Sequence, residues 1–209
     1  EGVGFFQLTA RNGRRCSAAV AYLNPVKKRE NLTIITHAQV EKVEITGNRA
    51  TGVTYTDRSG ATITVHADRE VILSGGAINS PQILMLSGIG EAAQLRENGI
   101  EVVKDLPAVG KNMQDHLQAR LVYKCNEPTL NDEVRGIFNQ AKIGLKYVLY
   151  REGPMTMAAS LATGFMKTRP DVETPDIQFH VQPLSAENPG KGADKFSAFT
   201  ISFPLEITS

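Results

Sequence analysis

Three features of the sequence predict a mixed α/β fold. They are a series of short β-branched segments between Leu32 and Ser74, a strand–glycine–helix unit from Glu70 to Gly88, and a helix followed by further strands after His116. The first series reads LTIITH, QVEKVEIT, GVTYT, ATITVHA and EVILS, punctuated by the turn pairs Gly47-Asn48 and Ser59-Gly60, and predicts a β-meander. Its last member, Glu70 to Ser74, has the continuous apolar centre Val71-Ile72-Leu73, which suits a strand covered on both faces, as in a parallel sheet. Gly75 and Gly76 follow at once. A helix is then expected with Ser80 as N-cap, Pro81 at its first position, Ile83, Leu84 and Leu86 as its apolar stripe, and Gly88 as its stop. A shorter helix over 91–98 ends at Gly99, and the segment Leu106 to His116, broken by proline and glycine, is a connector. Beyond it, Val134, Ile137, Phe138, Ala141, Leu145, Val148 and Leu149 recur at helical spacing, predicting one long amphipathic helix over 132–151 that stops at Gly153-Pro154. LATGFMKT, DIQFHVQPL and FSAFTISF read as strands, and the polar loop Ser185 to Lys195 reads as mobile. The change of character near Asp115 divides the chain into residues 1–115 and 116–209.

The 209 residues and 41% hydrophobic content suit one large domain or two small ones. With 23 basic and 22 acidic residues and no basic tract, the chain is not built to neutralise nucleic-acid phosphates. Cys16 and Cys125 lie far apart without ligand spacing, so neither a disulfide framework nor a metal site is expected, and a reduced, cytoplasmic setting is the default. No apolar run approaches the ~20 residues that span a bilayer. The chain starts at Glu1 inside the apolar stretch GVGFFQLTA and stops at FPLEITS inside an expected strand. Both ends therefore read as cuts through structure.

For chemistry, the Gly75-Gly76 pair comes first. Two glycines between a strand and a helix N-terminus let backbone approach a phosphate or ribose with no Cβ in the way, although tight packing alone also selects glycine there. Arg14 and Arg15 could pair with phosphate or hold carbonyls and carboxylates of their own domain. His116 in an Asp-His pair, and His180 on an apolar strand, read as structural rather than as acid–base groups. The glycosylation-type triplet Asn31-Leu32-Thr33 is a short match with no secretory signal behind it.

The longer string GAINSPQILMLSGIG, residues 76–90, resembles the second signature of the glucose-methanol-choline (GMC) oxidoreductases. Four further blocks resemble the same family in the same order: NGRRCSAAVAYLNP, NLTIITHAQVEKV, LPAVGKNMQDH and DIQFHVQP. The resemblance covers nearly the whole chain and is tighter before His116 than after it. It implies a doubly wound FAD-binding domain with an antiparallel β insertion, followed by a substrate domain whose antiparallel sheet roofs the flavin. On that basis residues 1–115 are the late part of the FAD domain and 116–209 the first part of the substrate domain. The resemblance also implies that Val40 contacts the adenine through its backbone, with Gly75 and Gly76 as a close-approach turn beside the cofactor. Read from the residues alone, Val40 is an ordinary strand valine.

The implied activity is oxidation of the CH–OH group of a small alcohol by hydride transfer to FAD, as in alcohol and choline dehydrogenases or oxidases. A hydroxynitrile lyase on the same scaffold and a non-catalytic binding module are the alternatives. The family's GxGxxG strand–turn–helix unit has no counterpart before Asn31, and its catalytic histidine lies beyond the resembling blocks. The chain is therefore expected to be an internal segment with no catalytic residue of its own, binding FAD weakly or not at all when isolated. Choline-handling relatives carry a carboxylate shortly before a Gly-Phe pair. Here the stretch reads Ser160-Leu161-Ala162-Thr163-Gly164-Phe165, which disfavours a quaternary ammonium and favours an aliphatic or aromatic primary alcohol. The electron acceptor and any association of the parent with a membrane surface are left open.

Overall fold

The computed structural model describes residues 1–188, 190 and 192–205. Along the chain run β1 (Gly2–Phe5), β2 (Ala10–Arg11), β3 (Arg14–Arg15), a π-helical turn (Ala19–Leu23), β4 (Gln39–Thr46), β5 (Arg49–Thr56) and β6 (Thr62–His66). There follow α1 (Gly76–Leu86), β7 (Ile89–Gly90), α2 (Ala92–Glu97), β8 (Lys104–Asp105), β9 (Gln118–Lys124), α3 (Leu130–Glu133) and α4 (Ile137–Tyr150). A 3₁₀ turn (Pro154–Thr156), β10 (Ala162–Met166), β11 (Ile177–Gln182) and β12 (Ala198–Pro204) complete the mixed α/β architecture. Two compact units result: residues 30–115, and residues 1–29 with 116–209. The sequence grouped residues 1–29 with the segment that follows them. In the structure β1 is instead the edge strand beside β10 in the five-stranded sheet of the second unit. None of the described helices is long and apolar enough to cross a membrane.

The unit 30–115 is built on the antiparallel meander β4-β5-β6. Gly47 at φ +62° makes the first turn. In the second, the Asp57 carboxylate accepts from the Ser59 and Ala61 amides at 2.8 and 3.0 Å, and Gly60 takes φ +86°. Across the three strands, the Thr54 hydroxyl donates to Glu44 Oε1 at 2.5 Å and lies 2.8 Å from the Thr64 hydroxyl, while Lys42 sits 3.2 Å from Glu44. The Thr54 hydrogen bond, ahead of Lys42, holds the Glu44 carboxyl below its ordinary range.

Two expected strands in this unit do not form. The LTIITH segment and Glu70–Ser74 have no ladder partner among the described residues, and Ile72 is 75% exposed. Apolar, β-branched residues favour extension, but a strand exists only when a neighbour takes its amides and carbonyls. The helix α1 also begins earlier than Ser80: Gly75 is its N-cap, and Pro81 lies inside it. The Ser80 hydroxyl nonetheless serves the helix start, accepting the Gly75 amide at 2.9 Å. Gly88 (φ +83°) ends the helix as expected. A Cβ there would meet the Glu101 carbonyl oxygen at 2.4 Å, because the chain folds back on this turn.

One side chain joins helix to meander. The buried Ser87 hydroxyl accepts the Val43 amide of the edge strand β4 at 2.8 Å and donates to the Ile83 carbonyl at 2.6 Å. Ser87→Ala leaves a buried amide unpaired. It should destabilise the unit 30–115 by about 1–3 kcal/mol, read as faster amide exchange at Val43 and a lower urea midpoint.

The other unit carries the sheet β1-β10-β11-β12-β9, antiparallel throughout. The predicted long helix is two helices. Gly136 at φ +84° ends the run that α3 begins and restarts it as α4, a break that helical periodicity does not reveal. On α4, Ile137, Phe138, Leu145, Val148 and Leu149 are exposed. The base of the loop after β11 is tied down. The buried Asn131 side chain donates to Ser185 Oγ and to the Phe196 carbonyl at 2.9 Å each, and Ser185 in turn donates to Asp194 at 2.7 Å. Residues 189 and 191 of that loop lie outside the described set.

α3 opens with a capping box between Thr129 and Asp132, in which the Thr129 amide donates to Asp132 Oδ2 at 2.8 Å. That bond, with a further one from Ser197, holds the Asp132 carboxyl below its ordinary value of 3.8. A carboxylate held low in the folded state stabilises the fold fully above its unfolded pKa, and that contribution is lost as pH falls through the folded value. Amide protection over residues 130–134 should therefore hold from neutrality to about pH 4 and fall in stronger acid. Asp132→Asn should abolish that acid dependence.

Candidate functional site

The expected cofactor residues all fall in the unit 30–115. Val40 is half-buried on β4, the free edge of the meander, opposite Tyr55 and beside a bulge at Glu41. Its backbone is accessible to a side chain: the Gln39 carboxamide reaches its carbonyl at 3.4 Å. An edge strand keeps alternate amides and carbonyls outside its own ladder, which a contact through backbone requires.

Gly75 and Gly76 form the entrance to α1, and their conformations differ. Gly75 is helical in φ and ψ, but a Cβ on it would press on Asn79 Cβ at 3.0 Å and the Ser80 amide nitrogen at 3.2 Å. Gly76 takes φ +83° and has open space where a side chain would stand. The first turn of this eleven-residue helix carries no acidic residue and no side-chain cap from Gly75. Its leading amides are therefore exposed to a negative or oxygen-rich group. No hydrogen bond joins Val40 to Gly75 or Gly76. The α1 entrance is about 16 Å along the helix axis from the Ser87–Val43 junction.

The remaining candidates lie in the unit of residues 1–29 and 116–209. Arg14 and Arg15 sit on β3 in a tight hairpin whose Asn12-Gly13 corner has φ +51° and +65°. With Tyr147 and Met155 they line a cavity of about 590 Å³, and Arg14 stands directly opposite Arg11. His116 lies 3.3 Å from the Leu205 carbonyl just past β12, a structural role at the end of the β9–β12 pair. Cys16 and Cys125 are free thiols, and no metal-binding cluster occurs among the described residues.

His180 has more around it than its sequence context suggests. Register places Gly4, Thr163, His180, Ser202 and Arg120 in one row across the five strands. Alternation puts the polar residues Gln178, Gln182 and Thr200 on the same face, and Phe179, Val181, Ile201 and Phe203 on the other. Phe6 packs on the His180 ring at 5.3 Å. Leu161 follows the same alternation. Its backbone continues β10 through bonds to the Phe6 amide and the Val181 carbonyl, 2.9 and 3.0 Å, which puts it on the His180 face. Ser202 has no exposed surface, and its hydroxyl has no partner among the described residues. Sequence reading missed Ser202 and Arg120 because each is ordinary on its own strand. The available signal was the period-2 polar set Thr200-Ser202, which gains meaning only from its neighbours in register.

A β-meander, a glycine turn that opens a helix, and an antiparallel sheet polar on one face make this a mixed α/β chain. The sequence profile of the GMC oxidoreductases matches residues 1–118, more than half of the chain, and the protein belongs to that family. Among its relatives, the oxygen-dependent choline dehydrogenase of Brucella anthropi is 41% identical over 199 residues, covering 95% of this chain and 36% of the relative. That of Paraburkholderia phymatum is 43% identical over 200 residues, covering 95% and 35%. The chain thus spans about a third of the length of the curated relatives it matches. Among solved structures, pyridoxine 4-oxidase from Mesorbium loti superposes with a TM-score of 0.74 at 29% identity over 98% of this chain and 36% of that one. A formate oxidase gives 0.84 at 22% identity over 98% and 40%, a likeness of fold.

The unpaired Ser202 hydroxyl gives a direct test of whether the sheet's polar face is shaped for stability. Burying a hydroxyl without a partner costs about 1–3 kcal/mol. Ser202→Ala should therefore leave the unit's thermal midpoint unchanged or raise it by a few degrees. A fall of several degrees would show that the hydroxyl is bonded in solution.

Proposed function

We propose that the protein takes part in FAD-dependent oxidation of the CH–OH group of a small alcohol, with residues 30–115 meeting the cofactor. The unit of residues 1–29 and 116–209 supplies the substrate-facing sheet. The observation that carries this reading is the α1 entrance. Gly76, at φ +83° with open space where a Cβ would stand, opens a helix whose first turn carries no acid. Such an entrance accepts the oxygen-rich middle of a dinucleotide, and the edge-strand backbone at Val40 accepts a purine ring edge. These residues fit FAD by backbone, which explains why a valine and two glycines suffice. When bound, the flavin supplies the hydride acceptor.

What this chain adds is positioning and exclusion. Gly75 and Gly76 keep side chains away from the ligand, and Ser87 fixes β4 against α1 so that Val40 holds a constant place relative to the helix. On the substrate side, the choline dehydrogenases at 41–43% identity are named for a quaternary ammonium alcohol. Here Leu161 stands on the His180 face, whose described strand residues include no acid, so an apolar primary alcohol suits it better than a cation. No residue of the chain is assigned as the general base.

The experiment uses the full-length flavoprotein mixed anaerobically with 1-hexanol and with choline. Bleaching of the oxidised flavin band, faster with hexanol, is the expected result. Faster bleaching by choline would overturn the substrate class, and release of cyanide from a cyanohydrin without bleaching would replace oxidation by lyase chemistry. For the cofactor site, Gly76→Ala should weaken FAD retention at least about tenfold through the strain of its left-handed φ. Val40→Ala, which keeps the backbone, should change it less than about twofold.

A further inference from the structure

The polar face of the five-stranded sheet carries an arrangement that oxidation of an uncharged alcohol leaves unused. Resting on the flavin-linked alcohol oxidation proposed above, we propose that Arg120 is a specificity-determining residue that binds an anionic group, a carboxylate at the far end of the alcohol from its hydroxyl.

Four observations converge on that residue. Arg120, Ser202, His180 and Thr163 are consecutive members of one register row, so their side chains leave the same face of adjacent strands. The Arg120 guanidinium makes one hydrogen bond, from Nε to Gln118 Oε1 at 3.1 Å, and forms no ion pair among the described residues. The described strand residues on this face are Gly2, Gly4, Gln118, Arg120, Val122, Lys124, Thr163, Phe165, Gln178, His180, Gln182, Ala198, Thr200, Ser202 and Pro204, with no acid among them. Lys124, the other cation, lies 5.1 Å from the Phe196 ring centre. Finally, next to Arg120 in the row sits the fully buried Ser202 hydroxyl, and next to that the His180 ring, held by Phe6; among the described residues neither the hydroxyl nor the ring nitrogens have a hydrogen-bond partner.

The chemistry follows from that order. Phe6 and Leu161 give the His180 end of the row an apolar rim, suited to the carbon chain. Arg120 offers a planar fork for a carboxylate, and the His180 ring and Thr163 hydroxyl continue the polar row away from it. Two strand spacings, about 9–10 Å, separate the His180 and Arg120 backbones. Allowing for the reach of the arginine, a linear hydroxy acid of about six carbons bridges them. A charge-assisted bond to an otherwise uncompensated guanidinium discriminates more strongly between ligands than added apolar contact does. The ordinary alternative is an edge-strand arginine that discourages strand pairing, and it predicts no ligand preference.

The test compares 6-hydroxyhexanoate with 1-hexanol as reductants of the full-length holoenzyme, with hexanoate as a dead-end competitor. The expected result is a kcat/KM at least about tenfold higher for the hydroxy acid, competition by hexanoate, and a perturbed flavin spectrum when hexanoate binds. Arg120→Gln should lower the hydroxy-acid to hexanol ratio about tenfold or more, with the loss falling on KM, and Arg120→Lys should restore part of it. Bleaching by hexanol without preference for the hydroxy acid and without competition by hexanoate would overturn the anion site and leave the alcohol oxidation standing. A spectral response to hexanoate that Arg120→Gln removes, with no bleaching by either alcohol, would support the site and sink the oxidation.

Discussion

The hydrogen bonds of the Ser87 hydroxyl organise the unit of residues 30–115. By accepting the Val43 amide and donating to the Ile83 carbonyl, one buried oxygen links the free edge of a three-stranded meander to the last turn of α1. Without it, β4 would present an unsatisfied buried amide and α1 would pack only through apolar contact, which is non-directional. In the proposed reading, Val40 and the glycine entrance of α1 meet one ligand, which requires strand and helix to keep a fixed separation.

The second unit solves a different problem with the same rule. A strand shows alternate residues to opposite faces, and here the alternation separates an apolar set, Phe179, Val181, Ile201 and Phe203, from a polar set, Gln178, His180, Thr200 and Ser202. The apolar set includes the edge-to-face pair Phe179–Phe203, centroids 4.9 Å apart, and the stacked pair Tyr123–Phe199. The polar set includes a buried hydroxyl and an imidazole that have no hydrogen-bond partner among the described residues. A face shaped for stability alone would satisfy or remove such groups, and their retention is what the proposed ligand contact draws on.

Local chemistry was legible wherever the residues that determine an element are neighbours in sequence. The Gly47-Asn48 and Ser59-Gly60 turns, the Gly88 stop and the short helix ending at Gly99 stand where their residue types place them, because each is a matter of φ and of nearby hydrogen bonds. Failures occurred where the deciding partner is distant or the deciding residue is a single glycine. Val71-Ile72-Leu73 has strand composition but no ladder partner among the described residues. Gly136 breaks an apolar periodicity that otherwise continues through α4. Pro81 resembled a first helical residue, yet α1 begins a turn earlier at the glycine pair.

By itself, the sequence determined the family, through five ordered blocks, together with the mixed α/β character and the glycines at the α1 entrance. Those features are carried by residue identity and short spacing. Tertiary structure alone decided that residues 1–29 pack with the large sheet, that Ser87 joins helix to meander, and that Arg120, Ser202, His180 and Thr163 share one row. The last of these draws on four strands spread over more than 80 residues, and only interstrand register, set by hydrogen bonding between distant segments, brings them side by side.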